Sequence, residues 1–273
     1  MPEAERPHPA AEPPAGAPSR SLRLFGLDFS TAGPAQILSD VAARPGNGPR
    51  LVVTANVDHI VQLSENAAFR AAYESAAART LDGMPLVWFS RLLGQPGGRR
   101  VTGHDLLASA LSGIPDPAAR IFLVCPTALA GDRLRARLAR AGCAPDAVAL
   151  AVPPFGFEED AGYGQRLAEA VRAHGTTLLV MGVGAPKSEI WVHRQGAALG
   201  APVVLAVGDA VSVAAGLVPR APLLMQRTGF EWLFRFLHAP QRLFGRYFVR
   251  SWRFLRIAAQ DAGASGKAET RRA

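Results

Sequence analysis

Apolar residues along this chain recur with two different periods, and the two alternate. Compact apolar runs at 22–27, 50–53, 121–125, 147–152, 177–181 and 202–207 read as strands, the later ones buried on both faces. Between them, apolar positions return at helical spacing over 32–43, 56–78, 86–93, 103–111, 129–141, 165–173 and 186–199. A short strand at 79–81 divides the second and third of these helical stretches. Strand and helix in regular alternation predict an α/β fold, with a mainly parallel, Rossmann-like sheet covered by helices on both faces.

The pattern changes at the two ends. Residues 1–20 are rich in Pro and Ala without apolar periodicity, and read as a disordered tail rather than a signal peptide or membrane span. After Pro219 come Phe230, Trp232, Phe234, Phe236, Phe244, Tyr247, Phe248, Trp252 and Phe254, interleaved with arginines. Arg242, Arg246, Arg250 and Arg253 share one helical face, and Phe244, Phe248, Trp252 and Leu255 a neighbouring one. The organisation expected is a tail at 1–20, an α/β core at 21–219, a basic aromatic helical appendage at 220–258 and a disordered tail at 259–273.

Composition sharpens this picture in two places. At 273 residues, 49% hydrophobic and 19% charged, the chain has the make-up of a globular protein with a sizeable core. No stretch offers about 20 uninterrupted apolar residues, so no transmembrane helix is expected. The formal charge of +8 is confined to the C-terminal end, where eleven cations from Arg220 onward face Glu231, Asp261 and Glu269, leaving residues 1–219 formally neutral. Such asymmetry suggests a basic segment facing an anionic surface, lipid or nucleic acid. Cys125 and Cys143 have no metal or redox spacing, and a reducing, cytoplasmic compartment is the simpler reading.

Ligands of open α/β sheets sit beyond the carboxyl ends of the strands. The stretch 51–82 places Thr54 and Asn56 at the end of one strand and Asp82, followed by Gly83, at the end of the next. Asp82 reads either as a turn aspartate, because Asp-Gly is a common turn pair, or as a reactive carboxylate. Asn56 suits a helix cap, a substrate contact, or both. His59 and Asp58 read more readily as structural. Arg100, with Arg99 as its competitor, is either a solvated loop arginine or a partner for an anion. Gly182-Val183-Gly184 is a truncated dinucleotide fingerprint without its third glycine. Glu189 can hold a hydroxyl or complement a helix N-terminus, and Asp209, after Gly208, can bind a ligand or cap a helix. There is no Asp-X-Asp pattern and no His/Cys cluster, so neither metal nor cofactor is expected.

The motifs TANVDHI, LDGMPLVW, RVTGHDLL, PPFGF and VMGVGAPKSEIW, followed by the RAP and FEWLFRFLHAPQRLFGRY segments, occur in this order with ordinary spacing. Together they resemble the WecG/TagA/CpsF family of bacterial glycosyltransferases, over roughly residues 22–254. The resemblance implies an inverting transfer from a UDP-sugar donor to a polyprenyl-diphosphate-linked sugar acceptor, in exopolysaccharide or cell-surface polymer synthesis. It implies Asp82 as the base that takes the acceptor's proton, with Thr54, Asn56, Gly83, Arg100, Gly103, Lys187, Ser188, Glu189 and Asp209 as substrate contacts. It further implies that tail arginines, among them Arg220, Arg227, Arg235 and Arg242, meet the diphosphate. The protein is then peripheral at the inner face of the cell membrane, on an anionic lipid surface, without nucleic acid as partner and with self-association left open. Ser188 departs from the family pattern, which has Gln there, and so bears on donor identity.

Two other classes compete. A nicotinamide-dependent oxidoreductase would use Gly182-Val183-Gly184, and a basic nucleic-acid-binding protein would use the arginine-rich tail. The concentration of polar residues at strand ends, distant in sequence from that tail, favours the transferase.

Overall fold

The first apolar run folds back on itself. The computed structural model describes residues 21–95, 97–113, 116–219, 221–222, 224–225, 231–238 and 250–270. Where a single strand was expected at 22–27, strands β1 (Ser21–Leu24) and β2 (Leu27–Ser30) form an antiparallel hairpin turning at Phe25 and Gly26. Leu22, Leu24, Leu27 and Phe29 alternate inward, a pattern that one continuous strand would break at the turn.

The remaining strands are β3 (Arg50–Ala55), β4 (Ala78–Leu81), β5 (Ile121–Val124), β6 (Val148–Ala151), β7 (Leu178–Met181) and β8 (Val203–Ala206). They form one wholly parallel sheet in the order β4-β3-β8-β7-β5-β6, as the alternation of elements predicts. Helices α1 (Pro34–Ala42), α5 (Gly103–Ser112), α6 (Ala128–Arg140) and α9 (Ala210–Ala214) cover one face, over Val52, Leu123, Val180 and Leu205. Helices α2 (Val57–Glu65), α3 (Ala67–Glu74), α4 (Met84–Leu92), α7 (Ala161–Ala173) and α8 (Lys187–Gln195) cover the other, over Val53, Val124, Leu179 and Val204. The stretch expected as one helix over 56–78 is divided between α2 and α3, because Asn66 ends the first and its side chain caps the second by accepting from Phe69 N–H. Cys125 is buried, as expected, and burial pushes its thiol up to about 12, which keeps it unreactive.

Two helices are described in the appendage, α10 (Glu231–His238) and α11 (Arg250–Thr270). The boundary expected at 258 falls inside α11, which continues to Thr270. Phe254 is buried against Phe25 and Phe89, and Asp261 Oδ1 accepts from Phe25 N–H at 3.0 Å. Burial of the Phe254 ring contributes about 2–3 kcal/mol. The exposed Arg253–Glu65 ion pair between α11 and α2 contributes at most about 1 kcal/mol. Aromatic packing, rather than charge, therefore holds α11 to the core.

Candidate active site

Connections leave the sheet in opposite directions at one place. After β3 the chain crosses to the face of α2, and after β8, its neighbour, to the face of α9. Such a divergence opens a crevice beyond the carboxyl ends of the strands. In the β3–β4 register Ala55 faces Leu81, and Asp82 N–H donates to Ala55 carbonyl oxygen at 2.6 Å. Asn56 and Asp82 are therefore brought together, each one residue past the end of its strand. Gly83 takes φ 149°, a conformation that disfavours a side chain, and begins α4.

Several expected contacts are further defined by their partners. Asn56 Oδ1 caps α2 by accepting from His59 N–H at 3.1 Å, which leaves its Nδ2 amide to meet a ligand. Arg100 lies beside Leu81 in a parallel bridge, half-buried next to the residue that precedes Asp82. Arg99, its competitor, places its guanidinium against Gly33 at the start of α1. Thr102 and Asp105 form a reciprocal capping box on α5. Gly103 is buried where a Cβ would lie 3.1 Å from the Val207 carbonyl oxygen, so its lack of a side chain lets α5 pack closely on the end of β8. Ser188 is buried and its hydroxyl donates to the Gly184 carbonyl oxygen at 3.1 Å, turned back on the loop that precedes α8. Asp209 is exposed at the start of α9 and makes no side-chain cap. Arg220, Arg227 and Arg242 lie outside the described residues, and Arg235 is described only as a position in α10.

Sequence reasoning missed two groups. Phe155, in the loop after β6, is 94% exposed, and Lys187 Nζ at the start of α8 sits 4.1 Å from its ring centroid. The edge-strand loop thus reaches back past β5 to the start of α8 and offers an aromatic face with a cation beside it. An aromatic between Pro154 and Gly156 beyond a strand end was the available signal. The second group, Tyr73 on α3, has no such signal, because it continues the helix's apolar stripe. Its buried hydroxyl donates to the Thr54 carbonyl oxygen at 3.2 Å and lies 2.8 Å from His59 Nδ1. Burial first, and then the negative charges of Glu189 and Asp82, push its phenol well above the ordinary value. Tyr73 therefore stays protonated and braces the end of β3 from beneath.

Glu189, in the first turn of α8, is 2% exposed, and its Oε2 has no hydrogen-bond partner among the described residues. Burial pushes its carboxyl up to about 7 against the lowering pull of its own backbone N–H. A cavity of about 380 Å3 bordered by Asp28, Asp40, Arg44 and Arg79 opens elsewhere, where Ala76, Ala77 and Ala78 enter β4. Its acids and arginines are equal in number, and it lies at the opposite end of that strand from Asp82. Among the described residues no group of three or more His, Cys, Asp or Glu is placed to hold a metal.

The raised Glu189 value has a consequence for stability. The folded protein holds a proton that the unfolded chain releases above about 4.5, so stability falls as pH climbs from there through about 7. The loss by pH 8 is of order 3 kcal/mol. Glu189→Gln, which cannot ionise, is expected to unfold at higher denaturant than wild type at pH 8 and to lose that advantage at pH 5, as measured by urea titration.

Residues 22–267 match the family described as "Glycosyl transferase WecG/TagA/CpsF family". The chain is 26% identical over 196 residues to an N-acetylglucosaminyldiphosphoundecaprenol N-acetyl-beta-D-mannosaminyltransferase of Bacillus spizizenii, covering 72% of this chain and 74% of the relative. It is 23% identical over 221 residues to the protein of the same name in Staphylococcus aureus strain MRSA252, covering 78% and 83%. With the strand-end carboxylate, the asparagine beside it and the family match over most of its length, the chain belongs to the WecG/TagA/CpsF family and is a glycosyltransferase.

Proposed function

We propose that this glycosyltransferase moves a sugar from a UDP-linked donor to a polyprenyl-diphosphate-linked sugar, by one displacement that inverts the anomeric centre. The observation that supports this reading is the juxtaposition of Asp82 and Asn56, one residue past the Ala55–Leu81 pair that ends the β3–β4 register, with Thr54 two residues before Asn56 on β3. The relatives' names supply the substrate class, an N-acetyl-β-D-mannosaminyl group and an N-acetylglucosaminyl-diphosphoundecaprenol acceptor. Exopolysaccharide or cell-surface polymer synthesis is the setting that fits such an acceptor.

In this mechanism the acceptor hydroxyl lies against Asp82. Its oxygen forms a bond to the anomeric carbon as the bond from that carbon to the donor diphosphate breaks on the opposite side. The hydroxyl proton passes to the Asp82 carboxylate, and the electron pair leaves with UDP. Arg100, Lys187 and the tail arginines supply the positive charge that meets the departing diphosphate. Asn56 Nδ2 positions a substrate oxygen, and the exposed Phe155 face takes the uracil ring beside Lys187. Because Ser188 is turned inward, it selects the donor sugar by leaving space rather than by contact.

The acceptor's lipid requires a surface at which the crevice can meet it. α4 begins directly after Asp82-Gly83 and exposes Trp88 (51%) and Leu92 (82%). α11, tied to it through Phe89 and Phe254, exposes Trp252 (75%) and Leu255 (57%) beside Arg253 and Arg256. Exposed rings flanked by arginines suit the headgroup layer of an anionic bilayer. No described helix is long and apolar enough to cross one.

Transfer from UDP-N-acetylmannosamine to a short-chain polyprenyl-diphosphate-N-acetylglucosamine tests the chemistry. Asp82→Asn is expected to lower kcat by about 10²–10⁴-fold with donor binding retained, and undiminished turnover would remove Asp82 as the base. In the same assay Phe155→Ala should raise the donor KM about tenfold with kcat little changed. Sedimentation with phosphatidylglycerol vesicles tests the surface. Trp88→Ala combined with Trp252→Ala should reduce the bound fraction several-fold at low salt, whereas equal binding would place the lipid contact elsewhere.

A further inference from the structure

Glu189 has no part in the displacement, yet the fold carries it at a cost to its own stability near neutral pH. A buried carboxyl without a partner is rarely kept unless something else completes it. Its surroundings come from several elements. Tyr73 of α3, whose phenol feels the Glu189 and Asp82 charges, is bonded to the Thr54 carbonyl and to His59 of α2. Asp82 stands beyond β4. Lys187 and His193 are on α8 itself, His193 being held by Ser75 Oγ at 2.8 Å. On the other flank of α8, α7 brings Tyr163 with Arg166 over its ring. None of these cations bonds Glu189 Oε2.

We propose that Glu189 makes donor binding a proton-uptake event, in which a proton from solvent settles on the Glu189 carboxylate as the sugar nucleotide enters the crevice. This rests on the reading of the crevice as the donor site. The donor's diphosphate brings two negative charges to the crevice beside Asp82, and Glu189 is buried close enough beneath it that both carboxylates bear on the Tyr73 phenol. Coulomb repulsion is relieved most readily by neutralising one carboxylate. Asp82 must stay ionised to accept the acceptor's proton, so the proton goes to Glu189, whose free-protein value of about 7 leaves it poised to take one. One proton moves from buffer to carboxylate, and no bond of the substrate is made or broken. Below about pH 6 donor affinity is then independent of pH. Above the free-protein value it weakens by up to about tenfold per pH unit.

The test is calorimetry of the full-length protein with UDP-N-acetylmannosamine at pH 8, in phosphate and in Tris, which differ in ionisation enthalpy. The donor's diphosphate diester does not titrate in this range, so any proton taken up belongs to the protein. Wild type is expected to take up about half a proton or more per donor bound, and Glu189→Gln none, with an affinity that no longer varies between pH 6 and 8. Should that variant fail to fold, infrared difference spectra of the wild type decide, since donor binding must produce the carbonyl stretch of a protonated carboxylic acid. Identical heats in the two buffers would overturn the proposal while leaving the donor site intact. Uptake that persists in Glu189→Gln would overturn it in favour of His59. Absence of donor binding at every pH would overturn the donor-site reading, and this inference with it.

Discussion

The parallel pairing of β3 with β4 is the constraint on which the rest depends. Side chains alternate along a strand, so a slip of one residue would exchange the two faces of β3 and send Leu51, Val53 and Ala55 to the wrong layer. Both layers are apolar and full, which forbids the slip. The same register places Asn56 and Asp82 side by side and seats the Asp82 amide on Ala55. The Asp82 carboxylate is therefore located by hydrophobic alternation several residues away along the two strands.

Beneath that pair the interior changes character. Thr54 at the end of β3, and His59, Tyr73, Ser188 and Glu189 on the helices that cover it, are all buried, in an interior that is otherwise mostly apolar. Tyr73 and Ser188 are satisfied within the protein, so they stiffen the crevice floor at little cost. Glu189 is the exception, and its unpartnered oxygen weakens the fold as its carboxyl ionises. The site thus combines braced groups that hold position with one group left incomplete, a common division where function and stability compete.

Much of this was legible in the sequence, because its signals are local. The apolar runs, the Asn56 cap and the Asp-Gly turn each follow from a few adjacent residues, and each marks a strand end. The hairpin at Gly26 and the break at Asn66 were also locally encoded, but weaker than the apolar pattern that ran through them. What remained hidden depends on pairing between distant elements. Tyr73 looks like any other member of the α3 stripe until β3 passes over its hydroxyl. Gly103 reads as part of a binding motif, and only the fold shows the Val207 carbonyl close against it. Phe155 becomes meaningful only when Lys187, from another strand's end, arrives over its ring.

The bond from Phe25 N–H to Asp261 joins residues 236 positions apart. During synthesis at about 5–20 residues per second, the hairpin waits roughly 10–50 seconds for its last partner to leave the ribosome. Until then Phe25 and Phe89 lack the Phe254 ring that covers them. The nascent chain accordingly presents a sticky aromatic patch while the sheet behind it is already able to close. A truncation anywhere before α11 would make that interval permanent, and would expose such a chain to chaperones and proteases for as long as it lasts.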